Sequence, residues 1–206
     1  PPLAEVPRLA ARPDLRLVRM PSMTVGYLAM NQRDPADTTR AHPVLTDREV
    51  RRALVLALDR STMAKAVFGP YATVPGAPVS NGLWVAPFAP KSPPFRPDEA
   101  RRLLAARGFR DTDGDGIVER DGRPLALSLL VPTSSQARRL LATVVQEQLR
   151  RVGVQVSIRA VEFPTYVSAA QVGDFDLNLE QRFQDPSPLG LANAWTCGGS
   201  PLSNLA

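Results

Sequence analysis

The segment from Pro97 to Val152 constrains the fold more than any other part of the sequence. Its first apolar residues follow helical spacing and end at Gly108, where a positive φ is readily adopted. Ile117 and Val118 are then predicted to pair with the run from Leu125 to Val131. The dipeptide between them, Asp121-Gly122, supplies the positive φ angles of a tight hairpin turn. The first half of the segment therefore predicts a helix followed by a β-hairpin.

A second helix and a further strand complete this unit. Ser134 or Ser135 can cap the helix, because a hydroxyl at this position accepts a hydrogen bond from a free backbone N–H. The apolar face of that helix runs from Leu140 to Val152, and Gly153 ends it. Alternation from Val154 to Val161 predicts a strand. Such a unit buries its apolar faces only in a sheet shared with other strands, so the segment predicts an α/β fold with a mixed sheet flanked by helices.

Periodicity predicts further elements on both sides of this unit. The polar residues from Asn31 to Leu45 and the proline-rich residues from Tyr71 to Pro97 are predicted to be loops. The other predicted elements are strands Leu15–Met20 and Thr24–Met30, a helix that Thr46 caps together with Glu49, a short helix through Val67, a helix Phe163–Val172, a half-buried strand Asp174–Glu180 and a short helix Leu189–Trp195.

Composition and charge exclude several classes of protein. The 206 residues include 44% hydrophobic and 22% charged side chains, which is typical of a globular domain, and no apolar run approaches the roughly 20 residues of a membrane span. The formal charge of +5 comes from scattered arginine pairs without interleaved aromatic residues, so nucleic-acid binding is not expected. The single cysteine, Cys197, has no partner for an internal disulfide and no neighbouring cation that would activate it.

Six segments stand out along the chain: TVGYLAMN, DREVRRALVLALDRSTMAKAVFG, PGAPV, GFRDTDGDGIVERDGRPLALSLLV followed after a helix by VGVQVSIRAVEFPTY, GDFDLNLE and DPSP. In this order they resemble the second lobe of the solute-binding proteins of dipeptide, oligopeptide and nickel ABC importers. The resemblance implies one lobe of a two-lobed, type II periplasmic-binding-protein-like fold. Residues 1–206 would form that lobe, residues 1–31 the strands that enter it, and residues 196–206 the start of the return to the first lobe.

The resemblance also implies a function. The protein would bind a peptide or another small solute between two lobes and deliver it to an ABC permease, with no chemical reaction and no cofactor. The missing first lobe and the permease are the implied partners. The expected location is periplasmic or extracellular, with a membrane-anchored lipoprotein as one form, and the signal segment is expected upstream of Pro1.

The end of the last predicted strand carries the main candidate site. By resemblance, Asp185 falls where peptide-binding relatives place the carboxylate that pairs with a ligand's α-ammonium group, next to Phe183. Such relatives commonly have tryptophan where this chain has Arg182, and a guanidinium suits a ligand carboxylate or phosphate, or an internal pair with Asp185. A register anchored on Asp185-Pro186 would instead put Arg182 at the amine-binding position. Asp185 could also simply cap a helix.

Two further segments are candidate parts of the same site. Thr133 and Ser134 lie at a strand-to-helix junction, where free N–H groups favour anionic or carbonyl oxygens. Capping alone would also explain the serine. Trp84 and Phe88 could form apolar walls of a ligand cleft, or they could pin their loop to the core.

A calcium-dependent interaction module is the alternative function. Asp111, Asp113, Asp115 and Glu119 follow the spacing of a calcium loop, but the twelfth position, which should hold a bidentate glutamate, is Gly122. Aspartate side chains that bond to local N–H groups explain the same pattern without an ion. His42 is the only histidine, so a zinc site lacks ligands, and this residue is expected to be exposed in its loop.

Overall fold

The computed structural model describes residues 5–18, 20, 22–77, 79–187 and 189. The helices among them are α1 (Val6–Ala10), α2 (Arg48–Leu56), α3 (Arg60–Phe68), α4 (Pro97–Ala106), α5 (Gln136–Arg150) and α6 (Phe163–Val172), with 3₁₀ turns at Gly69–Tyr71 and Ala86–Phe88. The strands are β1 (Thr24–Met30), β2 (Arg33–Asp34), β3 (Asp37–Ala41), β4 (Glu119–Arg120), β5 (Arg123–Pro124), β6 (Ala126–Pro132), β7 (Gln155–Val161) and β8 (Leu177–Phe183).

A four-stranded mixed sheet in the order β1-β8-β6-β7 forms the centre of the molecule. β6 is parallel to both β7 and β8, whereas β1 is antiparallel to β8. β6 and β8 pair at only two positions, Leu129 with Leu177 and Leu130 with Asn178. Because three strands run in the same direction, their carboxyl ends lie at one edge of the sheet.

Helices cover both faces of this sheet. Leu129 and Leu177 lie in the larger buried cluster, together with apolar residues of α2, α4 and α5. Leu130 packs on the other face against Tyr166 and Ala169 of α6. Since β8 is covered on both sides, Leu177, Asn178 and Leu179 are all buried. The predicted pattern of one buried and one solvent-facing side for this strand is therefore wrong at Asn178.

Two predicted local features, the cap of α5 and the turn at Asp121-Gly122, are present. The Ser135 hydroxyl accepts a hydrogen bond from Arg138 N and caps the helix. Asp121 and Gly122 have φ angles of 55° and 69° and join β4 to β5. The predicted hairpin is shorter than expected, because Val118 bonds to Leu125 while the residues after it form β6 in the central sheet.

Three predictions for the first fifty residues are wrong. Residues Leu15 to Val18 form no strand and are exposed, since alternation needs a neighbouring strand to take effect. The predicted loop after Asn31 contains the β2–β3 hairpin, stabilised where Asp34 accepts a hydrogen bond from Ala36 N. Asp47, rather than Thr46, caps α2 by accepting from Glu49 N at 2.9 Å, because the Thr46 hydroxyl donates instead to the His42 carbonyl oxygen.

Within the described residues, no helix combines the length and apolarity needed to cross a bilayer. The predicted helix Leu189–Trp195, apart from its first residue, and the predicted return path at residues 196–206 with Cys197 lie outside the described residues.

Candidate functional site

The carboxyl ends of β6, β7 and β8 bring chemically distinct side chains to one edge of the sheet. Thr133 follows β6, Glu162 follows β7, and Gln184 and Asp185 follow β8. β1 begins at the same edge, where Thr24 pairs with Phe183. In open α/β sheets, ligands bind in the crevice outside the carboxyl ends of the strands. This edge is therefore the natural candidate site.

The β6 side of the edge presents a polar junction. Thr133 N donates to the Val161 carbonyl oxygen at 2.8 Å, and the Thr133 hydroxyl donates to Glu162 Oε1 at 2.9 Å. Ser134 is exposed and precedes the cap residue Ser135. α5 therefore begins at this edge with its positive dipole end, which favours negatively charged or carbonyl oxygens.

The β8 side presents one cation, one aromatic ring and one carboxylate. Arg182 is half-buried, whereas Phe183 and Asp185 are exposed. Asp185 accepts a hydrogen bond from Ser187 N at 2.8 Å, and this bond lowers the pKa of Asp185. Asp185 therefore carries a negative charge at neutral pH and stabilises a local turn.

A polar network on β8 lies just behind these residues. The Tyr27 hydroxyl donates to Glu180 Oε2 at 2.5 Å, and Asn178 Nδ2 donates to Glu180 Oε1 at 2.9 Å. Burial, together with the hydrogen bond to Glu180, raises the pKa of Tyr27. The Arg138 guanidinium lies 5.1 Å from the centre of the Tyr166 ring, a cation–π geometry. The sequence does not reveal this network, because the alternation along the strand predicts that Asn178 and Glu180 face solvent.

The loop at residues 72–96 reaches the same edge through Ser80. Ser80 N donates to Gln184 Oε1, and its hydroxyl donates to the Ser22 carbonyl oxygen. Trp84 and Phe88, further along the loop, are 59% and 80% exposed. The alternative in which these two rings pin the loop to the core is therefore wrong, because Ser80 and the buried Leu83 anchor it instead.

His42 is buried, and the prediction of an exposed histidine is wrong. The side chain is 4% exposed, its Nε2 lies 2.9 Å from Asp176 Oδ1, and its Nδ1 accepts from the backbone N–H groups of Val44 and Leu45. Asp176 Oδ2 accepts from both the N–H and the hydroxyl of Ser128. This cluster lies before the first residue of β8, at the end of the strand opposite the candidate site, and it ties three elements together.

The acidic turn does bring its carboxylates together. Oxygen atoms of Asp111, Asp113, Asp115 and Glu119 lie within 4.8 Å of one another. The same side chains accept backbone hydrogen bonds, including those of Gly114 N and Gly116 N to Asp111. Val118 N bonds to the Gly153 carbonyl oxygen, which precedes β7, so this turn also lies away from the candidate site. The geometry supports a turn stabilised by its own side chains.

A cleft of about 370 Å³ lies beside this turn, with Arg101, Phe109 and Gly153 among its lining residues. It is open, and it is remote from the carboxyl edge. Most residues predicted for the site follow or end strands at this edge: Thr133, Ser134, Arg182, Phe183 and Asp185. Trp84 lies four residues after Ser80, whose N–H bonds to Gln184 at this edge.

Comparison with known proteins identifies the class. The family described as bacterial extracellular solute-binding proteins, family 5, middle part, matches residues 1–201, and the chain belongs to this family. The oligopeptide-binding protein AppA of Bacillus subtilis is 30% identical over 170 residues, which cover 80% of this chain and 29% of that protein. The chain thus spans less than a third of the length of this relative.

Solved structures show the same fold. The structure of Bacillus subtilis AppA in complex with a nonapeptide has a TM-score of 0.77 and 27% identity, and covers 91% of this chain and 36% of that one. The periplasmic binding protein MelB of Agrobacterium fabrum in complex with stachyose has a TM-score of 0.79 and 25% identity, with 97% and 32% coverage. The chain has the predicted α/β fold of type II periplasmic binding proteins. Neither the family nor these structures support the calcium-dependent alternative.

Proposed function

We propose that this chain is the second lobe of the substrate-binding component of an ABC importer. The complete protein holds a peptide or another small solute between this lobe and a first lobe, and it carries out no chemical step. The observation that supports this most directly is the carboxyl edge of the sheet, where a carboxylate, a guanidinium, two hydroxyls and an exposed ring lie at the ends of strands.

Each side chain at the edge has a distinct role in this proposal. Asp185 pairs with a cationic group of the solute, and Arg182 with a carboxylate or another anionic group. Thr133 and Ser134 contribute hydroxyls beside the start of α5. Phe183 and Trp84 cover the apolar part of the solute. A zwitterionic peptide would use both charges, which agrees with the oligopeptide named for the Bacillus subtilis relative.

The partners and the location follow from the same proposal. A lobe with half of a site needs the first lobe to enclose the solute, and closure of the two lobes presents the complex to a membrane permease. The protein works outside the cytoplasm, as the family description states for the family as a whole. Attachment to the membrane as a lipoprotein is one form of this arrangement.

Native mass spectrometry of the full-length protein purified from its host tests the proposal. We expect a co-purified solute of defined mass that is lost on mild unfolding. The isolated 206-residue chain should bind that solute weakly or not at all, because it provides one wall of the site. Tight binding by the isolated chain would contradict the division of the site between two lobes.

A further inference from the structure

Three segments of the chain meet at the carboxyl end of β8. Ser22 precedes β1, Gln184 follows β8, and the two strands are paired at Thr24 and Phe183. Ser80, from the loop at residues 72–96, contacts both segments through hydrogen bonds to Gln184 Oε1 and to the Ser22 carbonyl oxygen. The loop is therefore attached to residues just outside two adjacent strands.

This junction is buried and well bonded. Ser80 is 3% exposed and Gln184 is 6% exposed. Gln184 N donates to the Met23 carbonyl oxygen at 2.9 Å, which fixes its backbone, while its side chain receives the Ser80 N–H. A buried N–H without an acceptor is costly, so the amide of Ser80 strongly favours this single position.

The anchored loop carries an exposed aromatic side chain a short way from the junction. Leu83 N bonds to the Ser80 carbonyl oxygen at 3.0 Å, Ala86 N bonds to the Leu83 carbonyl oxygen at 3.0 Å, and the Leu83 side chain is buried. Trp84 lies within this folded stretch, at most about 14 Å along the chain from Ser80. On the other side of the junction, Asp185 directly follows Gln184.

We propose that Gln184 and Ser80 are positioning residues, which fix the Trp84 segment against the end of β8 that carries Asp185. The spacing between an aromatic wall and a charged group decides which solutes fit a site. A single amide acceptor thus sets the shape of one side of the site. The role of this contact in solute selection rests on the proposed function. The positioning of the Trp84 segment by Gln184 and Ser80 is tested without any solute.

The test uses the fluorescence of Trp84 in the 206-residue chain. Trp195 is the only other tryptophan, and the substitution Trp195→Phe makes Trp84 the sole reporter. In this background, Gln184→Met removes the acceptor and keeps the side-chain length. Ser80→Ala removes both the bond to the Ser22 carbonyl oxygen and the bond that Gly82 N donates to the Ser80 hydroxyl. The control, Asn81→Ala, removes a hydrogen bond to Thr73 within the loop and leaves the junction intact.

We expect Gln184→Met to raise acrylamide quenching of Trp84 and to speed hydrogen exchange over residues 79–89 about fivefold, the effect of losing one typical hydrogen bond. Ser80→Ala should act in the same direction. Hydrogen exchange in β6 and β7 should stay unchanged, which distinguishes a local effect from destabilisation of the whole chain. If Gln184→Met does not fold, Gln184→Asn, which stays polar but is one methylene too short to reach the Ser80 N–H, takes its place.

Unchanged quenching and exchange in the junction variants would overturn the proposal, as would equal changes in Asn81→Ala. Because no solute is present, a failure of solute binding would contradict the proposed function alone and would leave this result intact.

Discussion

At the scale of single residues, His42 and Asp176 show how one buried pair organises several elements. The His42 ring accepts two backbone N–H groups on Nδ1 while Nε2 contacts Asp176, so the ring acts as a bridge between the segment before α2 and the start of β8. Asp176 extends the bridge to Ser128 in β6. A loop histidine therefore acts as a structural connector, which its sequence context did not reveal.

Replacing His42 by alanine should destabilise the chain. The substitution leaves the N–H groups of Val44 and Leu45 and one oxygen of Asp176 without their partner, and each unpaired buried group costs about 1–3 kcal/mol. We expect the free energy of unfolding to fall by at least ~2 kcal/mol in urea titrations. Arg40→Ala, at an exposed position of β3, is the control and should change it little. Equal stability of both variants would contradict the connector role.

Asp176 should also make the free energy of unfolding depend on pH. Burial alone would raise its pKa, but hydrogen bonds from His42 and Ser128 outweigh burial and lower the pKa of Asp176. A lowered pKa in the folded state contributes stability above the unfolded value of about 4, and this contribution is lost as the pH falls through the folded value.

Asp176→Asn should therefore cost stability at pH 7 and cost less at pH 3, as measured by the free energy of unfolding at the two values. Asp121→Asn is the matched control, because asparagine is favoured in its tight turn and the residue makes no comparable bridge. A penalty for Asp176→Asn that is the same at both pH values would show that its charge does not contribute.

At the scale of elements, Gly153 joins the end of α5 to the acidic hairpin. Its φ is 85°, and a Cβ there would lie 2.6 Å from Val118 Cγ1. Gly114 has a φ of 83° with nothing within 4 Å of the same position. The two glycines thus share a left-handed backbone conformation, but only Gly153 lacks space for a Cβ atom.

Gly153→Ala should therefore destabilise the chain more than Gly114→Ala. Both substitutions cost about 1 kcal/mol because alanine disfavours the left-handed backbone conformation. In Gly153→Ala, overpacking against Val118 adds a cost of roughly 1–3 kcal/mol. Thermal unfolding of the two variants measures the difference. The double variant Gly153→Ala with Val118→Ala should recover part of the loss, and additive effects would contradict a steric origin.

Sequence patterns predicted some elements well and others poorly for physical reasons. The helix of α5 and the Asp121-Gly122 turn depend on local capping and local φ preferences, so both were predicted. The strand expected at Leu15 would need a partner from a distant segment. The segment before His42 forms a local hairpin through the bond of Ala36 N to Asp34, which its polar composition does not reveal. For the site, strand-end residues such as Thr133 were predictable, whereas the Ser80–Gln184 contact joins residues more than a hundred positions apart and leaves no local signal.

At the scale of the whole molecule, helices cover both faces of the central sheet, and the three parallel strands end at one edge of it. The structural clusters around His42 and the acidic turn lie away from that edge, and the side chains that we propose to hold a solute lie on it. This separation lets the strand ends vary with the solute while the core keeps the fold. In the proposed function, this chain, which spans 29% of its Bacillus subtilis relative, provides one side of the binding site.

The most direct test of this account is an equilibrium titration of the full-length protein with the solute that co-purifies with it. We expect Asp185→Ala to weaken binding at least tenfold, the effect of about 1.4 kcal/mol, because it removes the proposed charge-assisted bond at the carboxyl edge. Asp121→Ala removes an acidic side chain at the opposite end of the sheet, and this variant should bind the solute as the unaltered protein does. Unchanged affinity in Asp185→Ala and in Thr133→Ala would contradict the placement of the site at the carboxyl ends of β6 and β8.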